Sequence, residues 1–303
     1  MNEYSTLGKV KAYLGLDSGA ASADASADDE LLGFIRTASR DIDQATRRRF
    51  YPRVETRFYS YKEPRKIRLD DDLLSLSTLK TSNGACTIAS GVMWLACGDE
   101  WNLRPADRII LKNDSGSQLN FSGTIQRANE VTGYWGYHED WDNAWIDTGA
   151  SLAVAYTASG LLLELAGGGS YGAGASDVLG DHPRISPGDL LKIQDEYFNV
   201  LGPGSAGNLN IKVRPYVNGT TAAAHASGAS IAKFSPEPDI EWCTRRLTAW
   251  MWAQKDAPYT EKTGNTQTGE FTIPSSWPPD VKNRLARFVH RKIAFYPDGS
   301  FEL

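Results

Sequence analysis

Residues 28–52, DDELLGFIRTASRDIDQATRRRFYP, constrain the fold more than any other stretch of this chain. Leu31, Leu32, Ile35, Ala38, Ile42 and Ala45 recur at three-and-four spacing, which places them on one face of an α-helix. Asp28, Asp29 and Glu30 suit the positive end of a helix dipole, and Arg47, Arg48 and Arg49 suit its negative end. Pro52 stops the helix, because proline lacks an N–H and its ring clashes with the carbonyl four residues back. Such a helix must bury its apolar face, so the rest of the chain has to cover it.

Other helices are predicted at both ends of the sequence. Residues 4–14 read as a short helix capped by Ser5 or Thr6, with Leu7, Val10 and Leu14 on one face. Residues 239–256 read as another, capped by Asp239, with Ile240, Cys243, Leu247, Trp250 and Met251 aligned. A last amphipathic helix is predicted over 279–295, with Val281, Leu285, Phe288, Val289 and Lys292 at helical spacing. Between the ends, from Arg53 to about Ser235, short runs of β-branched and aromatic residues alternate with turn signals. Strands are predicted at 54–61, 75–81, 92–96, 108–112, 125–135 and 151–156, then, past an apolar run at 161–165, at 189–193, 196–201 and 210–216. Asn83-Gly84, Pro187-Gly188 and Asn218-Gly219 mark turns, and the Gly-rich 166–176 marks a mobile loop or a subdomain boundary. The expected class is α+β: a small helical bundle from the two ends, a large all-β insertion of sandwich or barrel type, and an extended C-terminal tail helix. The expected parts are 1–52, 53–165, 166–235, 236–257 and 258–303. Within the last, the polar, Gly/Thr-rich 258–276 is expected to order against a partner.

Composition excludes some functions. The net charge of −5 gives no global field that would draw the chain to nucleic acid, so any such contact must be local. Cys86, Cys97 and Cys243 are an odd set without CxxC and read as free thiols of a reducing compartment. No apolar run approaches the ~20 residues of a membrane span, and the first residues lack a signal-peptide core. The sequons at Asn113, Asn120 and Asn218 therefore carry no expectation of glycosylation.

Catalytic signatures are weak. Gly167, Gly169 and Gly172 match GxGxxG, and 168–172 match GxSxG, but neither has the strand-to-helix context these motifs need. His138, Glu139, Asp140 and Asp142 are the densest possible metal ligands, interleaved with Trp141 and Trp145, and read as an exposed acidic loop. Asp70, Asp71 and Asp72 read as an acidic turn before a strand at 73–79 rather than a magnesium site. His182, His225 and His290 are scattered, with no adjacent Ser, Cys or Asp. No catalytic set, metal or cofactor is expected. One enzymatic alternative is a glycan-acting β unit, with Trp135, Trp141 and Trp145 stacking on sugars and Glu139 and Asp142 as carboxylates.

Two segments are locally basic. One is Arg47–Arg48–Arg49. The other, 279–295, carries Lys282, Arg284, Arg287, Arg291 and Lys292 against the single acid Asp280. Each reads either as a solvated helix face or as a surface for an acidic partner or passing DNA.

The order of a short helix, a long helix ending in RRRFYP and an extended LDDDLLSL resembles the head-to-tail connector (adaptor, or head-completion) proteins of tailed phages. WPPDVKNRLARFV at 277–289 resembles the C-terminal element of the same family, and the matching segments cover roughly a third of the chain. GDLLKIQDEYFNVLG resembles small β modules of phage structural proteins. The resemblance implies a virion neck subunit, assembled in the host cytoplasm, in a homo-oligomeric and usually dodecameric ring. Its partners would be the portal protein on one side and a stopper or tail-terminator protein on the other, with no membrane contact. Double-stranded DNA would pass through by non-specific contact. Arg47, Arg48, Arg49, Lys282, Arg284, Arg287, Arg291 and Lys292 become candidates for portal, neighbour or channel contact. Phe271, Trp277 and Phe288 become candidate docking aromatics of the tail. The simplest members of the family lack so large a β insertion.

Overall fold

The computed structural model describes residues 2–16, 25–97, 100–101, 104–158, 160–166, 185–204, 210–255, 263–265, 270–272 and 277–290. Among them the chain is mixed α+β, with four α-helices, a seven-stranded sheet, a closed six-stranded barrel and a separate hairpin.

Helix α1 (Leu7–Tyr13) starts at Thr6, whose hydroxyl accepts from the Lys9 N–H at 3.4 Å. Helix α2 (Ala25–Thr46) buries Leu31, Leu32, Ile35, Ala38 and Ile42, the face its periodicity foretells. Ala45 is exposed, and Thr46 takes its place on the buried face, its hydroxyl donating to the Ile42 carbonyl at 2.7 Å. The helix closes at Thr46, and Arg47 follows in the left-handed region at φ 55°. The three arginines therefore lie just past the helix end rather than in its last turn.

The first sheet has the order β1-β7-β2-β6-β4-β5, with β3 also on β2. The strands are β1 (Arg53–Tyr59), β2 (Lys66–Thr81), β3 (Cys86–Ile88), β4 (Met93–Cys97), β5 (Glu100–Trp101), β6 (Ala106–Leu111) and β7 (Asn129–Trp135). All its pairs are antiparallel. Asp70, Asp71 and Asp72 do not form a turn: they lie inside β2, where the pairing with β6 jumps from Arg68↔Arg108 to Leu73↔Ala106. The extra residues bulge out, which re-aims the three carboxylates. Gly133 on β7 lies so close to β2 that a Cβ there would meet the Ser75 carbonyl oxygen at 2.3 Å.

The barrel runs β10-β11-β12-β9-β8-β13 and closes on itself. Its strands are β8 (Trp145–Leu152), β9 (Leu162–Ala166), β10 (Leu190–Ile193), β11 (Glu196–Pro203), β12 (Asn210–Arg214) and β13 (Ser230–Phe234). Leu163, Leu191, Ile193, Phe198, Ile211, Val213 and Ile231 fill it. The boundary expected at 165/166 falls inside this barrel, since β8 and β9 pair with β13 and β12. Most of the Gly-rich stretch, with both of its glycine motifs, lies outside the described residues.

Helix α3 (Pro238–Gln254) packs against α1, α2 and α4 (Pro279–Leu285). Its cap position is Glu237, with Pro238 in the first turn, so Asp239 is an acid of that turn rather than the cap. The predicted helix over 279–295 is shorter: a 3-10 turn follows at Ala286–Phe288, and Val289 is already extended. Within 258–276, β14 (Thr263–Asn265) pairs antiparallel with β15 (Glu270–Thr272). One cluster of the core joins the helices to the barrel: Tyr4, Ile42, Phe50, Tyr197 and Phe234 meet Ile240, Leu247, Val281, Leu285 and Phe288.

Candidate interaction surface

Arg47, Arg48 and Arg49 separate in space because the chain reverses hand at Arg47. Arg48 turns inward. Its guanidinium donates to Asp72 at 2.7 Å and lies over the Tyr137 ring, 4.4 Å from the centroid. Burial pushes the Asp72 carboxyl up to about 7 against the opposing pull of Arg48. Arg47 and Arg49 face solvent. The turn that presents them is held from beneath: the Phe50 N–H donates to the Tyr4 hydroxyl at 2.9 Å, and that hydroxyl donates to Asp43. The Arg49 carbonyl accepts from the Tyr137 N–H at 2.7 Å. Burial raises the Asp43 carboxyl to about 6, with Arg40 and Arg49 drawing it down. Nothing in the sequence flagged Tyr4 or Asp43, because their contacts span tens of residues.

The second basic segment comes to the same place. The His290 N–H donates to the Thr46 carbonyl at 2.7 Å, at the very end of α2. Phe288 packs edge-on against Phe50 and Tyr137, both at 5.6 Å between centroids. Only 1% of Phe288 is exposed, so it is a core residue and not a docking aromatic. Trp277 is half-buried and packs against the same core. For Phe271 the backbone lies in β15, and its side chain is outside the described residues, as are Arg291 and Lys292.

Charge on α4 is partly offset. Arg284 and Arg287 both pair with Asp239, Arg284 also covers the Trp242 ring at 4.5 Å, and Asp280 pairs with Arg246 at 3.1 Å. Lys282 is exposed on the same helix. Counting charge along the last segment alone missed Asp239, an acid that α3 supplies. The Thr46–His290 hydrogen bond brings the last segment to the end of α2, where exposed Arg47 and Arg49 follow, while Arg284 and Arg287 lie against Asp239 of α3.

The other candidates are built into the fold. Trp135 is buried, donates to the Glu55 carbonyl at 3.0 Å and lies under Arg57, so it is closed to a sugar ring. Trp141 and Trp145 pack against the shared core. Glu139 and Asp142 are exposed, the latter paired with Arg104 at 2.6 Å. His138 is buried rather than exposed: its Nδ1 accepts from the Asp140 N–H at 3.1 Å, so its Nε2 donates to the Ser235 carbonyl at 2.9 Å. His225 is buried in the barrel, its Nε2 2.9 Å from Glu196 and its ring stacked on Tyr156. Arg57 binds Asp70 at 3.2 Å and Asp71 at 2.8 Å. Among the described residues no three His, Cys, Asp or Glu side chains gather to hold a metal, and no helix is long and apolar enough to cross a membrane.

No family model, no curated protein and no solved structure matches this chain.

Proposed function

We propose that this chain is a structural subunit of a tailed-phage neck, joining the portal to a stopper or tail protein in a ring around the DNA channel. The observation that carries the reading is the meeting of the two basic segments, brought together by the Thr46–His290 hydrogen bond and the Phe50–Phe288 contact. In this reading the helices from the two chain ends form the small bundle that builds the ring, and the sheet and barrel decorate it. Subunits repeat one heterologous contact, which closes when the rotation per copy fits a whole turn. Repeating Arg47, Arg49 and the α4 cations around the ring makes a positive annulus out of an acidic protein. Such an annulus suits the acidic face of a portal or the phosphates of passing DNA, which bind without sequence preference. Arg48 holds the annulus in place from inside, through Asp72 and Tyr137.

The experiment is a docking assay with purified cognate portal, comparing the parent with Arg47→Glu/Arg49→Glu. Both arginines are exposed, so the variant stays folded, its melt lowered only by the lost pull of Arg49 on Asp43, and it loses portal binding at least tenfold. Unchanged binding would refute the basic surface as the contact.

A further inference from the structure

Strand β1 is an outer strand of the first sheet, paired with β7 on one side only. In an antiparallel ladder, alternate residues aim their N–H and C=O groups to opposite sides. The Val54 N–H points away from β7, donating to the Asn218 carbonyl at 2.8 Å, so Thr56 and Phe58 point the same way. Further along, the Tyr61 N–H donates to the Ile125 carbonyl at 2.7 Å. The edge is covered at both ends, and among the described residues no backbone group pairs with it from Thr56 to Phe58, a window of three residues, where Arg127 lies over the Phe58 ring. At the window Thr56 is exposed and Phe58 is 45% exposed. An open edge of this kind templates another strand.

Elsewhere in the same chain, β14 and β15 pair with each other and, among the described residues, with no other strand. Each is three residues long, the length of the window on β1. A lone two-stranded hairpin is marginal in water and gains stability from a third strand. The open edge and the hairpin lie in one chain and, among the described residues, are not paired with each other.

We propose that the β14–β15 hairpin of one copy adds to the Thr56–Phe58 edge of β1 in the next copy. Each subunit then offers one hairpin and one edge, so the contact is head-to-tail and satisfies every edge only when the ring closes. The inference rests on the ring reading and names the segments that join its subunits.

The test uses a Cys86→Ser/Cys97→Ser background, which removes the two exposed native thiols. One chain carries Thr56→Cys and a second, differently tagged, carries Thr272→Cys. They are mixed at rising concentration, their native mass is followed, and a short bis-maleimide is added. The expected product is a covalent dimer bearing both tags, formed in step with the growth in mass. A single chain carrying both cysteines, held at high dilution, gives no internal cross-link. Phe58→Pro, which removes an outward N–H, is expected to cut the dimer yield several-fold below that of Phe58→Ala, which loses the Arg127 contact but keeps the N–H. Oligomers that form without the two-tag dimer, an internal cross-link at dilution, or an unchanged yield in Phe58→Pro would each overturn the strand addition and leave the ring standing. Failure to grow in mass at any concentration, alone or with the cognate portal, would overturn both.

Discussion

Replacing Phe288 by Ala tests whether the C-terminal basic segment is truly anchored to the end of α2. The ring is 1% exposed and meets Phe50 and Tyr137 edge-on, with Val281 and Leu285 buried beside it. A Phe→Ala change in such a site costs about 3–5 kcal/mol, of which each lost aromatic pair contributes about 0.5–1.5. Against a total stability of about 5–15 kcal/mol this is a large fraction. With a urea slope of about 3 kcal/mol per molar, a loss of 4 kcal/mol moves the midpoint down by about 1.3 M. The core that holds Phe288 is shared by helices and barrel, so tryptophan fluorescence in a urea titration reports the shift. Val289→Ala is the control: Val289 is 39% exposed, and its truncation should change stability by no more than about 0.5 kcal/mol. A Phe288→Ala loss under about 1 kcal/mol would refute the anchoring, and with it the claim that the two basic segments form one surface.

Further outcomes follow from other sites. Burial raises Asp72 to about 7, and Asp43 and Asp189 to about 6, each from 3.8. Between those values the folded chain holds protons that the unfolded chain has lost, so stability should fall as pH rises from about 4 to about 7. At about 1.4 kcal/mol per pKa unit, Asp72 alone contributes up to about 4 kcal/mol of that slope, and Asp72→Asn should flatten it in urea titrations across the range. Gly136 sits at φ 143°, where a Cβ would meet the Tyr51 carbonyl oxygen at 2.5 Å, whereas a Cβ on Gly33 in α2 meets nothing within 4 Å. Thermal melts should show Gly136→Ala destabilised and Gly33→Ala stabilised by about 0.5–1 kcal/mol. In thiol titration exposed Cys86 should react first and Cys97, whose thiol burial and nearby Asp107 and Asp72 raise, more slowly, while Cys243, buried with its thiol pushed up to about 12, should react only on unfolding.

What the sequence showed and what it hid divide along the reach of the interactions. The α2 face was legible because periodicity is local, and it failed only at its end, where Thr46 satisfied its hydroxyl within the helix and displaced Ala45. Arg48 looked like its two neighbours. Its inward path depends on the left-handed Arg47 and on Asp72 and Tyr137, which arrive from the sheet. Strand existence was mostly legible from β-branched and aromatic runs. Strand pairing was not: the Gly-rich stretch suggested a boundary, while β8 and β9 on one side of it complete a barrel with β10–β13 on the other. The aromatic Phe288 fits either a docking anchor or a core, and only the arrival of Phe50 and Tyr137 decides for the core. Asp239 has the same lesson for charge, since α3 brings it to the arginines of the last segment.

The most direct measurement is native mass by light scattering on a sizing column, for the purified chain alone and mixed with its cognate portal. A closed assembly of around a dozen 33.2 kDa subunits is expected, alone or on the portal. A stable monomer that ignores the portal would contradict it.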